Sequence, residues 1–244
     1  EPSLASGISF GHYLRNADSL YSTLLDIKNR DKSPIIHTAT DGEIYGHHEP
    51  YGDMALAALI KKVNDGDDFI FDNYGSYMAK HPATKHAVLR KGEEGKGTSW
   101  SCSHGVSRWY KDCGCHTGGD EGWNQKWRTG LRNALNNLGD KIDAIFSREI
   151  DIIFKGQLSS QDLLKEAGNV FCGKVDMKRF ISSLSDKYGI THNDSEKLAH
   201  LLTGMKYKHF SFTSCGWFFS ELSGIEPRQD IKYAIHAITL FQQF

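Results

Sequence analysis

The chain has 244 residues, enough for one large domain or two small ones. Its net charge of −1 and pI near 6.9 give no electrostatic basis for binding nucleic acid or an anionic membrane, and no run of about 18 apolar residues predicts a membrane-spanning helix. Five cysteines, an odd number, argue against a disulfide framework and favour reduced thiols or a metal site. We therefore expect a cytoplasmic protein without nucleic-acid or membrane partners.

Residues 1–97 alternate short apolar runs with helical patterns. Apolar runs between polar segments are typical of buried strands, and amphipathic periodicity predicts helices over residues 53–63 and 73–80. The alternation favours a parallel sheet or part of a barrel, so we predict an α/β fold for this part of the chain. The predicted strands cover residues 34–40, 67–71 and 87–89.

A loop over residues 98–122 separates this segment from a second half, residues 123–244. The stretch 98–127 holds four of the five tryptophans and three of the five cysteines. Such a mixture with glycine suits a loop that lines a site better than a packed helix or strand. Beyond it, apolar residues recur every three to four positions, which predicts a mainly α-helical domain. The predicted helices cover residues 122–138, 140–155, 159–168, 176–188, 194–209, 211–222 and 226–243.

Two carboxylates and two histidines follow the first predicted strand. Asp41 and Glu43 flank a glycine at the carboxyl end of that strand, where the chemistry of α/β folds is found. Paired carboxylates can divide acid and base roles, whereas the alternative is an ordinary Asp-Gly turn. His47 and His48 come next, either as ligands of a substrate or metal or as a solvated pair.

Cysteine and histidine cluster in the central loop. One residue separates Cys102 from His104, and one residue separates Cys113 from Cys115. Thiolates and imidazoles are the ligands of zinc and of iron–sulfur sites, although common zinc motifs leave two to four residues between paired cysteines. The loop therefore predicts a zinc or iron site. The alternatives are groups that line a pocket, an oxidisable cysteine pair, or a cysteine nucleophile with a histidine base.

Aromatic residues in and near the loop are candidates for saccharide binding. Trp100 and Trp109 lie within the loop, and Trp217 lies in a similar Cys-Gly-Trp segment far down the chain. Indole rings can stack on the C–H faces of sugars, and the alternative is that they pack in a core.

Several of these motifs resemble glycoside hydrolase family 57. Residues 40–48, TDGEIYGHH, resemble the acid/base motif of that family. Ser99-Trp100 with Trp109 resembles the loop that follows its barrel, and residues 213–219, TSCGWFF, resemble a segment of its helical region. The cysteine-containing form is similar to a branch of the family that carries an accompanying C-terminal domain of unknown function.

This resemblance implies a partial (β/α)7-type barrel segment followed by a mainly α-helical domain. It implies part of a retaining glycoside hydrolase or glucanotransferase that acts on α-glucan-like saccharides, with Asp41 as acid/base and no required cofactor. The family's nucleophilic glutamate lies on an earlier strand, and only Glu1 precedes Glu43. We therefore expect an upstream barrel half from the same precursor or another chain. The implied substrate-binding residues are Glu43, His48, Trp100, His104, Trp109 and Trp217.

A second hypothesis does not require catalysis. Because the nucleophile is missing from this chain, the protein can instead be a saccharide-binding module, or a zinc- or iron-binding module built on the loop. The metal-ligand candidates are Cys102, His104, Cys113 and Cys115.

Overall fold

The computed structural model describes residues 1–31, 34–99 and 102–244. Within these residues the chain is mostly helical. The helices are α1 (Pro2–Phe10), α2 (Ala17–Arg30), α3 (Gly52–Asp65), α4 (Tyr74–Lys80), α5 (Trp127–Phe154), α6 (Ser160–Phe171), α7 (Met177–Tyr188), α8 (His192–Phe210) and α9 (Ile225–Phe241). Short 3₁₀ turns lie at Tyr13–Arg15, Gly42–Ile44, Glu93–Gly95, Ser107–Trp109 and Ser214–Trp217.

The chain divides into two compact units, residues 1–87 and residues 88–244. In the first unit, α1, α2 and α3 pack around the 3₁₀ turn Tyr13–Arg15, and α2 also packs on α3. Helix α4 buries none of its residues. The buried apolar residues of this unit are Leu4, Ile8, Leu14, Leu20, Tyr21, Ile27, Ile44, Leu59 and Val63.

The predicted α/β fold with a partial (β/α)7 barrel is wrong. No strand forms at residues 34–40, 67–71 or 87–89, and the described residues contain only an isolated bridge in place of a sheet. The apolar side chains of Ile70 and Val88 are 92% and 93% exposed, so these runs are not buried strands. A strand requires a neighbour that satisfies its backbone N–H and C=O groups, and a short apolar run does not specify that neighbour.

In the second unit, helices α5 to α9 enclose the main core, and α9 packs along α8. Local sequence sets several helix ends. Ser159, Asp176 and Thr191 accept backbone N–H groups at the starts of α6, α7 and α8. Gly189 ends α7 with φ of +66°, a conformation that glycine adopts readily. The buried core residues include Phe146, Ile150, Leu163, Leu198, Leu201, Leu202 and Met205.

Three of the predicted helices differ from the structure. The helices predicted over 122–138 and 140–155 form one continuous helix, α5. A Cβ added at Gly139 would lie 3.3 Å from Lys208 Cε, so the glycine lets α8 approach α5 closely. The helix predicted over 211–222 is wrong, because only the 3₁₀ turn Ser214–Trp217 forms there.

A smaller core lies between the central loop and α5. It is built on Trp217, which is fully buried, with Leu135 and Ala234. The rings of Trp127 and Trp217 stack with centroids 6.0 Å apart, and Trp109 from the loop packs against the same cluster. This core fixes the loop on the first turns of α5, and so it determines where the loop's thiols are placed.

Candidate metal centre

Four candidate ligands meet in the central loop. One ligand atom from each of Cys102, His104, Cys113 and Cys115 lies within 4.8 Å of all the others. The Cys102 sulfur lies 4.0 Å from the Cys113 sulfur and 3.7 Å from the Cys115 sulfur. His104 Nδ1 lies 3.8 Å from the Cys102 sulfur and 3.3 Å from the Cys115 sulfur. The sequence prediction that these residues can form one metal site therefore agrees with their positions.

The loop brings these groups together through tight turns. Gly105 has φ of +65°, directly after His104, and Gly114 has φ of +77° between Cys113 and Cys115. Both values lie in the left-handed region, which favours glycine. The backbone N–H of Gly114 donates to Asp112 Oδ1. The 3₁₀ turn Ser107–Trp109 spans the distance between the two ligand pairs.

Four of the six separations among the ligand atoms fit one tetrahedral centre, and all six lie within 4.8 Å. Zinc–sulfur bonds of about 2.3 Å and zinc–nitrogen bonds of about 2.0 Å place tetrahedral sulfurs about 3.8 Å apart, and sulfur and nitrogen about 3.5 Å apart. The separations around Cys102 and His104 fall close to these values. All five cysteines of the chain are free thiols, and a disulfide would need sulfurs about 2.05 Å apart.

The thiols of the loop do not ionise equally. Burial opposes ionisation of Cys113, but hydrogen bonds from the backbone and side chain of Cys115 and from Cys102, with the charge of Arg128, lower its pKa overall. Burial raises the pKa of Cys115, and its contacts with the other two sulfurs raise it further. Cys113 therefore ionises more readily than Cys115, and thiolates rather than thiols bind metal cations.

Two buried polar residues contact Cys113, and sequence reasoning missed both. The Cys113 thiol donates to Gln125 Oε1 at 3.4 Å. Arg128, which has no exposed surface, donates through Nη1 to Gln125 Oε1 at 2.8 Å and approaches the Cys113 sulfur at 3.8 Å. The signal in the sequence was weak: an arginine in the first turn of a helix, directly beside the apolar stripe that begins at Trp127.

Further hydrogen bonds hold the loop against the rest of the second unit. Arg132 Nη1 donates to the Trp109 carbonyl at 3.0 Å. Thr117 donates through its backbone N–H to Ser220 Oγ and through Oγ1 to the Phe218 carbonyl. The ligand loop is thus connected to α5 and to the segment that follows the 3₁₀ turn Ser214–Trp217.

The predicted catalytic residue and two of the substrate-binding residues lie in the first unit. Asp41, Glu43 and His48 are all exposed. Asp41 precedes the 3₁₀ turn Gly42–Ile44, and the Glu43 carbonyl accepts the backbone N–H of His48 at 2.9 Å. This is the geometry of a tight turn, so the predicted role of Asp41 as acid/base stays a prediction.

The other predicted substrate-binding residues lie in the second unit or outside the described residues. Trp100 falls outside the described residues. Trp109 is half-buried, and His104 is exposed and belongs to the metal-ligand cluster. Trp217 is fully buried beneath Trp127, so it presents no face to a saccharide in this structure.

The fold and the site thus define a helical protein with a thiolate-rich candidate metal centre. The chain belongs to the family described as a domain of unknown function (DUF3536), whose model matches residues 123–244. The four candidate ligands lie before the matched range, whereas Gln125 and Arg128 lie inside it. Comparison with curated proteins and with solved structures found no match.

These comparisons support only part of the family expectation. The accompanying domain of unknown function is confirmed. The assignment as a glycoside hydrolase with a barrel is corrected, because the described residues form no barrel segment and no named relative supports that activity. The saccharide partner, the upstream barrel half and the cytoplasmic location stay predictions. None of the helices in the described part of the chain is both long and apolar enough to cross a bilayer.

Proposed function

We propose that this protein is a metal-stabilised helical module in which Cys102, His104, Cys113 and Cys115 bind one zinc ion. The observation that carries the proposal is the convergence of three sulfurs and one imidazole nitrogen within 4.8 Å of one another. Three thiolates and one imidazole form a common ligand set for structural zinc.

The ligand set supports a structural role. A catalytic zinc keeps one coordination position for water or substrate, whereas four protein ligands fill a tetrahedral site. Iron–sulfur clusters distribute their cysteines over two or more iron atoms, whereas these four ligand atoms lie within 4.8 Å of one another, close enough to bind one ion. Sulfur ligands also disfavour the oxygen-preferring ions magnesium and calcium.

The expected consequence of binding is that the loop becomes ordered. Residues 110–126 have few backbone hydrogen bonds and several glycines in left-handed conformations, so ordering them is entropically costly. A metal that binds the folded loop and not the unfolded chain shifts the equilibrium towards the folded state. Coordination also releases the thiol protons to solvent, so binding weakens as the pH falls.

Elemental analysis of the protein purified without chelators tests the proposal. We expect about one zinc per chain, no sulfide, and loss of the metal together with a lower thermal midpoint in the double variant Cys113→Ser/Cys115→Ser. The matched control is Cys172→Ser, because Cys172 is an exposed free thiol of the same unit, and it should retain full zinc content. Iron in place of zinc would reassign the metal. No more than trace metal, or an unchanged zinc content in the double variant, would overturn the proposed site.

A further inference from the structure

Arg128 is a buried cation without an ion pair at contact distance, and Asp112 attracts it only from further away. It has no exposed surface, and no carboxylate in the described residues lies within ion-pair distance of it. An uncompensated buried charge costs several kcal/mol, so buried charges are normally paired. The environment of Arg128 therefore calls for a negative group.

A second buried guanidinium increases this excess of positive charge. Arg108 is 5% exposed, also has no acidic partner in the described residues, and lies over the Phe218 ring at 4.8 Å. Its charge acts against that of Arg128. Two buried guanidiniums that share one nearby carboxylate, Asp112, leave an excess of one positive charge.

The bonds of Arg128 lead from the metal site to another segment. Nη1 contacts the Cys113 sulfur at 3.8 Å and Gln125 Oε1 at 2.8 Å. Nη2 donates to the carbonyls of Phe218 and Phe219, both at 3.1 Å. One planar group therefore connects a ligand sulfur with the backbone of the segment after the 3₁₀ turn Ser214–Trp217.

Charge counting identifies the missing negative group. A divalent cation with three thiolates and one neutral imidazole carries a net charge of −1, which matches the single positive charge left when Asp112 is counted against Arg128 and Arg108. We infer that Arg128 is the counter-cation and positioning residue of a divalent trithiolate centre, and that it strengthens metal binding through its charge and its contact with the Cys113 sulfur. This inference rests on the zinc site proposed above. It makes metal occupancy and the position of Phe218 and Phe219 mutually dependent.

Cobalt(II) titration of the whole chain tests the inference, because thiolate-to-cobalt charge-transfer bands report both affinity and the electronic state of the sulfurs. Arg128→Gln should weaken cobalt and competing zinc binding about 10- to 100-fold, the range for partners of metal ligands. It should also shift the charge-transfer band to lower energy, because the sulfur loses a hydrogen-bond donor. Arg128→Lys retains the charge, and its affinity for cobalt should lie within about tenfold of the affinity of the unmodified protein.

The matched control is Arg148→Gln, further along α5. Arg148 donates to Glu149 and to the Phe244 carbonyl and has no role in holding the ligand loop, so its loss should leave both affinity and band energy unchanged. Equal affinities for Arg128→Gln and the unmodified protein, or equal losses in Arg148→Gln, would overturn the role of Arg128. If Arg128→Gln does not fold, a folded Arg128→Lys decides the question. Retained cobalt binding in that variant supports the role of Arg128, and complete loss of cobalt binding overturns it. Absence of cobalt–thiolate bands in the unmodified protein would reject the metal site itself.

Discussion

Replacing Asp230 by asparagine should change how the stability of the second unit depends on pH. Asp230 lies in α9 and is only 1% exposed. Thr213 Oγ1 donates to its Oδ1, while its Oδ2 has no hydrogen-bond partner in the described residues. A Cβ added at Gly216 would lie 2.1 Å from Oδ2, so the backbone closes over this oxygen. The carboxylate is thus enclosed with a single donor.

The sign and size of the effect follow from the pKa of Asp230. Burial raises this pKa from 3.8 to about 6, and the bond from Thr213 only partly opposes the rise. The folded state therefore favours the protonated form. The contribution of the protonated Asp230 to the free energy of unfolding is fully present below about pH 4 and is lost as the pH rises through about 6. A shift of about two pKa units corresponds to about 3 kcal/mol of unfolding free energy.

Urea unfolding at several pH values between 4 and 7.5 measures this contribution. Asparagine does not titrate, and its side-chain oxygen can still accept from Thr213. The stability of Asp230→Asn relative to the unmodified protein should therefore rise by about 3 kcal/mol from pH 4 to pH 7. The control is Asp186→Asn, which alters an exposed aspartate on α7. Its unfolding free energy plotted against pH should run parallel to that of the unmodified protein. Parallel curves for Asp230→Asn would refute the reasoning.

The remaining predictions concern packing and ion pairing. Gly204→Ala should lower the free energy of unfolding by about 1–3 kcal/mol, because the added Cβ would lie 2.4 Å from a buried ring. Gly168→Ala should raise it by up to about 1 kcal/mol, because no atom lies within 4 Å of the added Cβ. Urea midpoints that move in the same direction for both variants would contradict this pair of predictions. Leu201→Ala removes a fully buried core side chain and should cost about 2–5 kcal/mol in the same assay; a loss below 1 kcal/mol would be inconsistent with its burial. Hydrogen bonds from Arg15 and His12 lower the pKa of Glu49, so the charged carboxylate stabilises the fold at pH 7 and this stabilisation is lost in acid. Glu49→Gln should therefore lower the thermal midpoint at pH 7 and have little effect near pH 3. Equal effects at the two pH values would exclude this ion pairing.

The ends of the helices could be predicted because they depend on nearby residues. Ser159 and Thr191 each accept a backbone N–H three residues ahead, and Gly189 supplies the left-handed residue after α7. Such signals lie within one turn of the helix they terminate. The helices of the second half are therefore close to their predicted positions, apart from the joined α5 and the missing helix over 211–222.

The predicted strands were wrong because strand formation depends on distant residues, whereas helix ends depend on nearby ones. A strand depends on a partner that can be anywhere in the chain, and the run at 67–71 has the composition of a strand without such a partner. The alternation of apolar runs and helical patterns placed that run and residues 34–40 in a sheet or barrel, although the described residues contain no sheet.

The candidate metal site could be predicted in part: its residues could be chosen from the sequence, but their arrangement could not. Sequence reasoning selected Cys102, His104, Cys113 and Cys115 from residue type alone. It could not establish their convergence, because that depends on Trp217, more than 100 residues after the ligands, which holds the loop on α5. Arg128 was missed because a surface arginine and a buried one look the same in sequence.

The 28 uninterrupted residues of α5 limit how this protein can change its length. One residue inserted near Gly139 would rotate the helix before it by about 100° relative to the part that follows. Arg128 would then turn away from Cys113 while Phe146 kept its place in the main core. Among related chains, insertions and deletions should therefore collect in the connection between α6 and α7 and spare α5, even at its exposed positions.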